Sequence, residues 1–301
     1  MSVLARVLCI ALVALQTISC TQLPSEPKIK AFGQAIEGAA DIFKRTVDAH
    51  LELAQRLGDD SAALVYITRP ESNVLPDYNF PPIDFDTIKN EALLPRRQLI
   101  DAIAGYGKAL AEASDKGAID QLEAAAITLA TTAGTAFAPL IGGAAIPLIS
   151  PAARLAGRGI GLAVSNAYAT EIYAIMQRID PVIAKAVAEL VYSMQVIERR
   201  NEDNLNSWLG VKRAVLNTIR EDGKRINSAA YIEFRGAVAE ARSIEVKMLA
   251  LKRYRQVLNA LAAAHKSMAT PEEPDGEFAL VRFISITKDV ESMIAAANAT
   301  K

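Results

Sequence analysis

Few side chains in this chain could take part in catalysis or in metal binding. It has two histidines, His50 and His265, and neither has a second ligand three or four residues away, the spacing at which one helix presents two ligands to zinc. Each lies in a predicted helix and is expected to pack within or on the bundle. The two cysteines, Cys9 and Cys20, form no C-x-x-C motif, and H-E-x-x-H and G-x-S-x-G are absent. The sequence predicts no enzyme, cofactor or metal.

Two further patterns have the residue types of a site but the wrong surroundings. Gly157, Gly159 and Gly161 alternate, yet they follow the start of a predicted helix rather than a strand, and no phosphate-loop lysine and serine follow them. We interpret them as a place of close helix packing. Carboxylate pairs at residues 59–60 and 272–273 lie where helices are predicted to end, and solvated acids are expected there.

Cys20, in contrast, follows a segment in which a charge, an apolar run and small residues come in a distinctive order. One positive charge, Arg6, precedes the apolar run 7–15 (VLCIALVAL), and Thr17-Ile18-Ser19 leads into the cysteine. A run of this length is too short for a permanent membrane helix and suits a removable targeting segment. This order of elements resembles the signal peptides of bacterial lipoproteins, in which the cysteine thiol receives a lipid and the chain is cleaved just before it.

The resemblance implies that residues 1–19 are removed, that Cys20 is lipidated, and that residues 20–30 form a tether. Thr21, in place of aspartate, implies passage to the outer membrane, facing the periplasm or the cell surface. One acyl chain binds a membrane only marginally, whereas two or more hold a protein firmly. Thr17, where such signals usually carry leucine, leaves two alternatives open: an ordinary secretory signal with a free thiol at Cys20, and a retained helical anchor.

The composition of the remaining chain favours close-packed helices. Hydrophobic residues make up 51% of the sequence and aromatic residues only 6%. No cysteine other than Cys20 remains after the signal, so no internal disulfide is expected. We predict an all-α fold over residues 31–301, an elongated antiparallel bundle of six or seven long helices.

Apolar residues recur at helical spacing along most of the chain. The pattern predicts a first helix over about 29–57, ended by residues 58–60 (GDD), and a short strand over 63–68. A helix resumes over about 86–114, and the last covers about 278–297. The apolar side of this last helix is predicted to consist of Val281, Ile284, Val290 and Ile294.

Four prolines between residues 69 and 85 predict a long loop rather than a helix. A loop of this length in a compact domain is often functional. The candidate recognition residues are the aromatic and arginine side chains in and just before it: Tyr66, Arg69, Tyr78, Phe80 and Phe85. Such side chains favour binding interfaces when they are exposed. The alternative is that they fold back over the end of the bundle.

Between residues 124 and 170 the only charges are Arg154 and Arg158. Two apolar helices, at about 119–138 and 152–178, are predicted to form a hairpin with a Gly/Pro tip. Its small residues would let it pack closely inside the bundle. Alternatively it inserts into lipid, a layout that resembles the α-helical pore-forming toxins.

Between residues 198 and 255, thirteen basic residues stand against eight acidic ones. This stretch could contact anionic headgroups or another acidic envelope polymer, but interspersed acids favour an ordinary solvated helix face. Nucleic acid is not an expected partner, because the net charge is −1 and no binding motif is present. We therefore expect a non-catalytic lipoprotein of the cell envelope. It would attach to the membrane through lipidated Cys20 and bind another envelope protein or polymer.

Overall fold

The computed structural model describes residues 25–68, 94–141, 164–221, 228–270 and 276–299. In these residues the chain forms six α-helices and no strand. The helices are α1 (Glu26–Thr68), α2 (Leu94–Lys116), α3 (Ile119–Ile141), α4 (Val164–Glu221), α5 (Ser228–Ala269) and α6 (Gly276–Ala299). They pack against one another as a bundle. The predicted all-α helical bundle is confirmed.

Neighbouring helices run antiparallel. Lys30, near the start of α1, pairs with Asp115 at the end of α2. His265, near the end of α5, contacts Asp180 in the first third of α4. With 58 residues, α4 is about 87 Å long at 1.5 Å per residue, so the bundle is elongated.

The main core runs along the inner faces of all six helices. Its largest side chains are Tyr106, Tyr254, Phe32, Phe43 and Phe283, all fully buried. On α6 the prediction is partly wrong: Val281 is 58% exposed, and Leu280 and Phe283 face the core instead. Val290 and Ile294 are buried as predicted.

A second, smaller core lies beyond the main one. It consists of Leu53, Trp208 and Ile244, from three different helices. We call the part of the bundle around it, residues 51–68 of α1, 198–221 of α4 and 228–249 of α5, the distal arm. The sequence pattern alone did not indicate this separate core.

The first helix is longer than predicted at both ends. Residues 26–30, which were expected to belong to the tether, are helical, and Ile29 packs in the core. Residues 58–60 were expected to end it, and residues 63–68 were expected to form a strand, yet α1 continues to Thr68. The Asp60 carboxylate accepts hydrogen bonds from Trp208 Nε1 at 2.6 Å and from Lys212 Nζ at 3.1 Å. Contacts with α4 therefore override residue types that usually favour a turn, and both predictions are wrong.

The predicted stop after α2 is confirmed. Gly117 has a φ of +67°, a left-handed conformation that favours glycine, and its N–H donates to the carbonyl of Ala113 at 3.0 Å. The hairpin prediction is correct for its first arm, α3. Its second arm, predicted to end near residue 178, is described from Val164 and continues without interruption to Glu221. Residues 142–163, with the predicted tip, lie outside the described residues.

Candidate functional site

His265 is the centre of a buried chain of polar groups. Its Nδ1 lies 2.7 Å from the Asp180 carboxylate, and its Nε2 lies 3.0 Å from the Tyr106 hydroxyl. The arrangement that satisfies all three donates Nδ1–H to Asp180 and accepts the Tyr106 proton at Nε2. The chain thus joins α2, α4 and α5 across the main core.

An Asp-His-hydroxyl order is also the order of the catalytic triad in hydrolases, where the aspartate orients the histidine that removes the hydroxyl proton. Here, however, burial and the neighbouring Asp180 carboxylate raise the pKa of Tyr106 far above its usual value, so the phenol stays protonated. Tyr106 and His265 are both wholly inaccessible to solvent. A substrate reaches them only if the bundle opens, so the arrangement serves to hold helices together.

His50 also packs inside the bundle, where it contacts a polar side chain of another helix. It is buried, and its Nδ1 contacts the side-chain oxygen of Asn201 on α4. Burial lowers the pKa of His50 below 6.5, and nearby Arg200 lowers it further, which outweighs the opposing hydrogen bond. The sequence prediction that both histidines pack within or on the bundle is confirmed.

A cleft of about 400 Å³ opens between α1 and α5 in the distal arm. Its charged lining is a network of ion pairs. Arg56 binds Glu52 at 2.5 Å and also contacts Glu240, while Lys247 binds Glu52 at 2.9 Å. Ser243 lines the same cleft, and its buried hydroxyl has no hydrogen-bond partner among the described residues. We call this the α1–α5 cleft.

The two cations of the cleft balance its two anions. Burial by itself would raise the pKa of Glu52, but hydrogen bonds from Lys247 and Arg56 lower it to about 2. Sequence reasoning missed this site because Lys247 and Glu240 are far from Glu52 along the chain. The only local signal was the spacing of Glu52 and Arg56, which are four residues apart on one helix.

The lowered pKa of Glu52 predicts a loss of stability in acid. The unfolded chain takes up a proton near pH 4.5 and the folded chain only near pH 2, so the stabilisation is complete above pH 4.5 and disappears as pH falls towards 2. We expect Glu52→Gln to lower the free energy of unfolding at pH 7, and the difference from wild type to shrink between pH 4.5 and 2. Urea unfolding at pH 7, 5, 4 and 3 measures this. A difference that stays constant over that range would contradict the role of the ionised Glu52.

Several cations in the basic stretch 198–255 form ion pairs with acids on neighbouring helices. Lys212 pairs with Asp60 and Lys247 with Glu52, and Lys252 and Arg255 both pair with Glu198. These cations stabilise contacts between helices. The prediction of a solvated helix face therefore holds for only part of this stretch.

The predicted recognition residues are mostly outside the described part of the chain. Tyr66 lies near the end of α1, where the sequence predicted a strand. Arg69, Tyr78, Phe80 and Phe85 lie outside the described residues, and so does Cys20. The recognition surface and the lipidation site stay predictions.

The first arm of the apolar hairpin packs into the bundle. The buried side of α3 consists of Leu122, Ala126, Leu129, Ala130 and Ala133. Its exposed side carries threonines 128, 131 and 135, whose hydroxyls donate to carbonyls of the same helix. Among the described helices, none has both the length and the hydropathy needed to span a bilayer. Insertion of α3 into lipid would remove its buried side from the core.

Comparison of the chain with protein-family models, curated proteins and solved structures finds no match. The histidines and many of the paired charges join helices to one another, and the α1–α5 cleft is a small cavity whose ionic groups already bind one another.

Proposed function

We propose that this protein is a non-catalytic lipoprotein of the cell envelope. Its helical bundle serves as a scaffold or interaction module at the periplasmic face of the outer membrane, and its partner is another envelope protein or polymer. The observation that carries the proposal is the short apolar run 7–15, followed by Thr17-Ile18-Ser19-Cys20. A thiol at the end of such a segment is the acceptor for lipid in bacterial lipoproteins.

The position of the bundle along the chain supports this proposal. The first helix begins at Glu26, and only residues 21–25 separate it from Cys20. Five extended residues reach less than about 20 Å. Acyl chains on Cys20 would therefore hold the bundle close to the membrane surface.

The chemistry of the described residues supports a non-catalytic role. His265 and Tyr106 are wholly buried, and His50 is committed to Asn201. The charged side chains that line the α1–α5 cleft form ion pairs with one another. These polar groups hold helices in place, as expected of a scaffold.

Replacement of Cys20 tests the proposal. In wild type expressed in a bacterial host, we expect a mature N-terminus at Cys20 that carries fatty acids. Cys20→Ser should carry no acyl group and should retain residues 1–19, because the cleavage depends on the modified thiol. Cys9→Ser, which changes the other cysteine of the chain, should behave as wild type. Intact-mass and N-terminal peptide mass spectrometry measure all three.

The alternatives give different masses. A cleaved chain with an unmodified Cys20 would indicate an ordinary secretory signal, and an intact N-terminus in wild type would indicate a retained anchor. Either result would overturn the lipoprotein proposal.

A further inference from the structure

One face of α5 points away from the bundle and carries an unusual mixture of side chains. Tyr231, Arg235, Arg242, Leu249 and Arg253 follow one another in steps of four, seven, seven and four residues, which places them on one side of the helix. All five are exposed, Tyr231 by 60% and Leu249 by 49%. We call this side the outer face of α5. It is about 33 Å long, from 22 residues at 1.5 Å each.

Further apolar side chains border this face. Phe234 is 55% exposed, and Val246 is 36% exposed. One acid, Glu245, is also exposed on this side of the helix, three residues after Arg242 and four before Leu249. Aromatic and aliphatic groups thus alternate with arginines along a single continuous helix.

The structure separates charges that alternate in the sequence. The acids Glu233 and Glu240 lie off the outer face, and they pair with Lys212 and with Arg56. In contrast to Lys212 and Arg56, the three arginines of the outer face form no ion pair within 4 Å among the described residues. The outer face therefore carries three arginines against one exposed acid, Glu245, and is cationic although the whole chain is nearly neutral.

We propose that the outer face of α5 binds the surface of an anionic phospholipid bilayer. Arginines 235, 242 and 253 would contact lipid phosphates, and Tyr231, Phe234 and Leu249 would enter the boundary between headgroups and acyl chains. A helix that lies in a membrane interface uses this combination of cationic and apolar groups.

Other occupants fit the outer face less well. A soluble polyanion would pair with the arginines but leave Phe234 and Leu249 in water. A second copy of the chain, docked through the same face about a two-fold axis, would bring six arginines together at one interface, where like charges repel. The bilayer is the partner that satisfies both the charges and the apolar groups.

The role of this contact in the cell rests on the proposed function, because acylated Cys20 would bring α5 within reach of a membrane. Binding to vesicles does not depend on it. The test uses residues 20–301 with Cys20→Ser, which retain every described helix and carry no lipid. A failure of vesicle binding and a failure of Cys20 acylation are therefore separate results.

The first measurement is co-sedimentation with vesicles of phosphatidylcholine, with and without 30% phosphatidylglycerol. We expect binding to the anionic vesicles only, and weaker binding as salt increases. Each cation near such a surface contributes about 1 kcal/mol, so Arg235→Gln, Arg242→Gln and Arg253→Gln together should lower the partition coefficient on the order of a hundredfold. The control removes three exposed arginines from other helices, Arg45, Arg178 and Arg282, and should lower it far less.

The second measurement tests the apolar groups. Phe234→Ser with Leu249→Ser should weaken binding to anionic vesicles by about tenfold, because two side chains no longer leave water. The control, Tyr192→Ser with Phe278→Ser, removes side chains of similar exposure on α4 and α6 and should change little. Circular dichroism confirms that each variant keeps its helices.

Four results would overturn the proposal. The first is equal binding to neutral and anionic vesicles, and the second is a loss of binding in the arginine control that equals the loss in the outer-face variant. The third is binding to soluble polyphosphate that is as tight as binding to vesicles and does not change in the Phe234 and Leu249 variant. The fourth is a dimer in solution that the Phe234 and Leu249 changes abolish.

Discussion

Gly107→Ala is expected to lower the free energy of unfolding by about 3 kcal/mol, because it fills the point where α1 and α2 cross. A Cβ on Gly107 would lie 2.6 Å from Ile36 Cγ2 and 2.8 Å from the carbonyl oxygen of Gly33. A Cβ on Gly33 would in turn lie 2.8 Å from the backbone nitrogen of Ala111. Backbone atoms cannot rotate away as a side chain can, so the two helices must separate.

Gly105→Ala is the matched control, two residues earlier on the same helix. It is exposed, and nothing lies within 4 Å of a Cβ placed there. Because glycine is a poor helix former, the change should raise stability by about 0.5–1 kcal/mol. Urea unfolding followed by circular dichroism measures both variants. Changes of the same sign at the two positions would contradict the close crossing of α1 and α2.

The helices themselves were predictable because their periodicity is local. Tyr106 and Leu110 on α2, and Leu190 and Met194 on α4, recur at helical spacing, and all four are buried. The end of α1 was not predictable in this way. Glycine and aspartate at 58–60 favour a turn locally, and only the contact of Asp60 with Trp208, 148 residues away, shows why the helix continues.

The site residues were harder to predict, for the same reason. His50 and His265 gave no sequence signal because Asn201, Asp180 and Tyr106, their partners, lie between 85 and 159 residues away. Charge counting failed for a different reason. It treats Glu240 and Arg242 as neighbours that cancel, whereas the helix turns Glu240 towards Arg56 and exposes Arg242 to solvent.

His265→Ala is expected to lower the free energy of unfolding by about 3–5 kcal/mol. The change removes a wholly buried ring that packs against Phe32 and Tyr106, and it leaves the Tyr106 hydroxyl buried without its partner. Tyr106→Phe removes a single hydroxyl and should cost about 1–2 kcal/mol. Asn259→Ala, an exposed position on the same helix, should change stability by less than about 0.5 kcal/mol.

The double variant, Tyr106→Phe with His265→Ala, shows whether the two side chains stabilise the protein through one shared hydrogen bond or independently. If Tyr106 acts through its bond to His265, the cost of Tyr106→Phe should largely vanish once His265 is alanine, because that bond is already lost. Costs that add fully would contradict the hydrogen bond between them. Urea unfolding of the four chains in this cycle gives the coupling energy.

The location of Asp180 adds a second, local readout. The next residue, Pro181, has no N–H, so α4 lacks one helical hydrogen bond at the place where His265 joins it to α5. The buried contact therefore supports α4 at its weakest point. We expect His265→Ala to speed amide hydrogen exchange at Ile179 and Ile183 more than at the equally buried Leu190 and Met194, further along the same helix. An equal increase along the whole of α4 would mean that His265 stabilises the bundle only globally, without a specific role beside the proline.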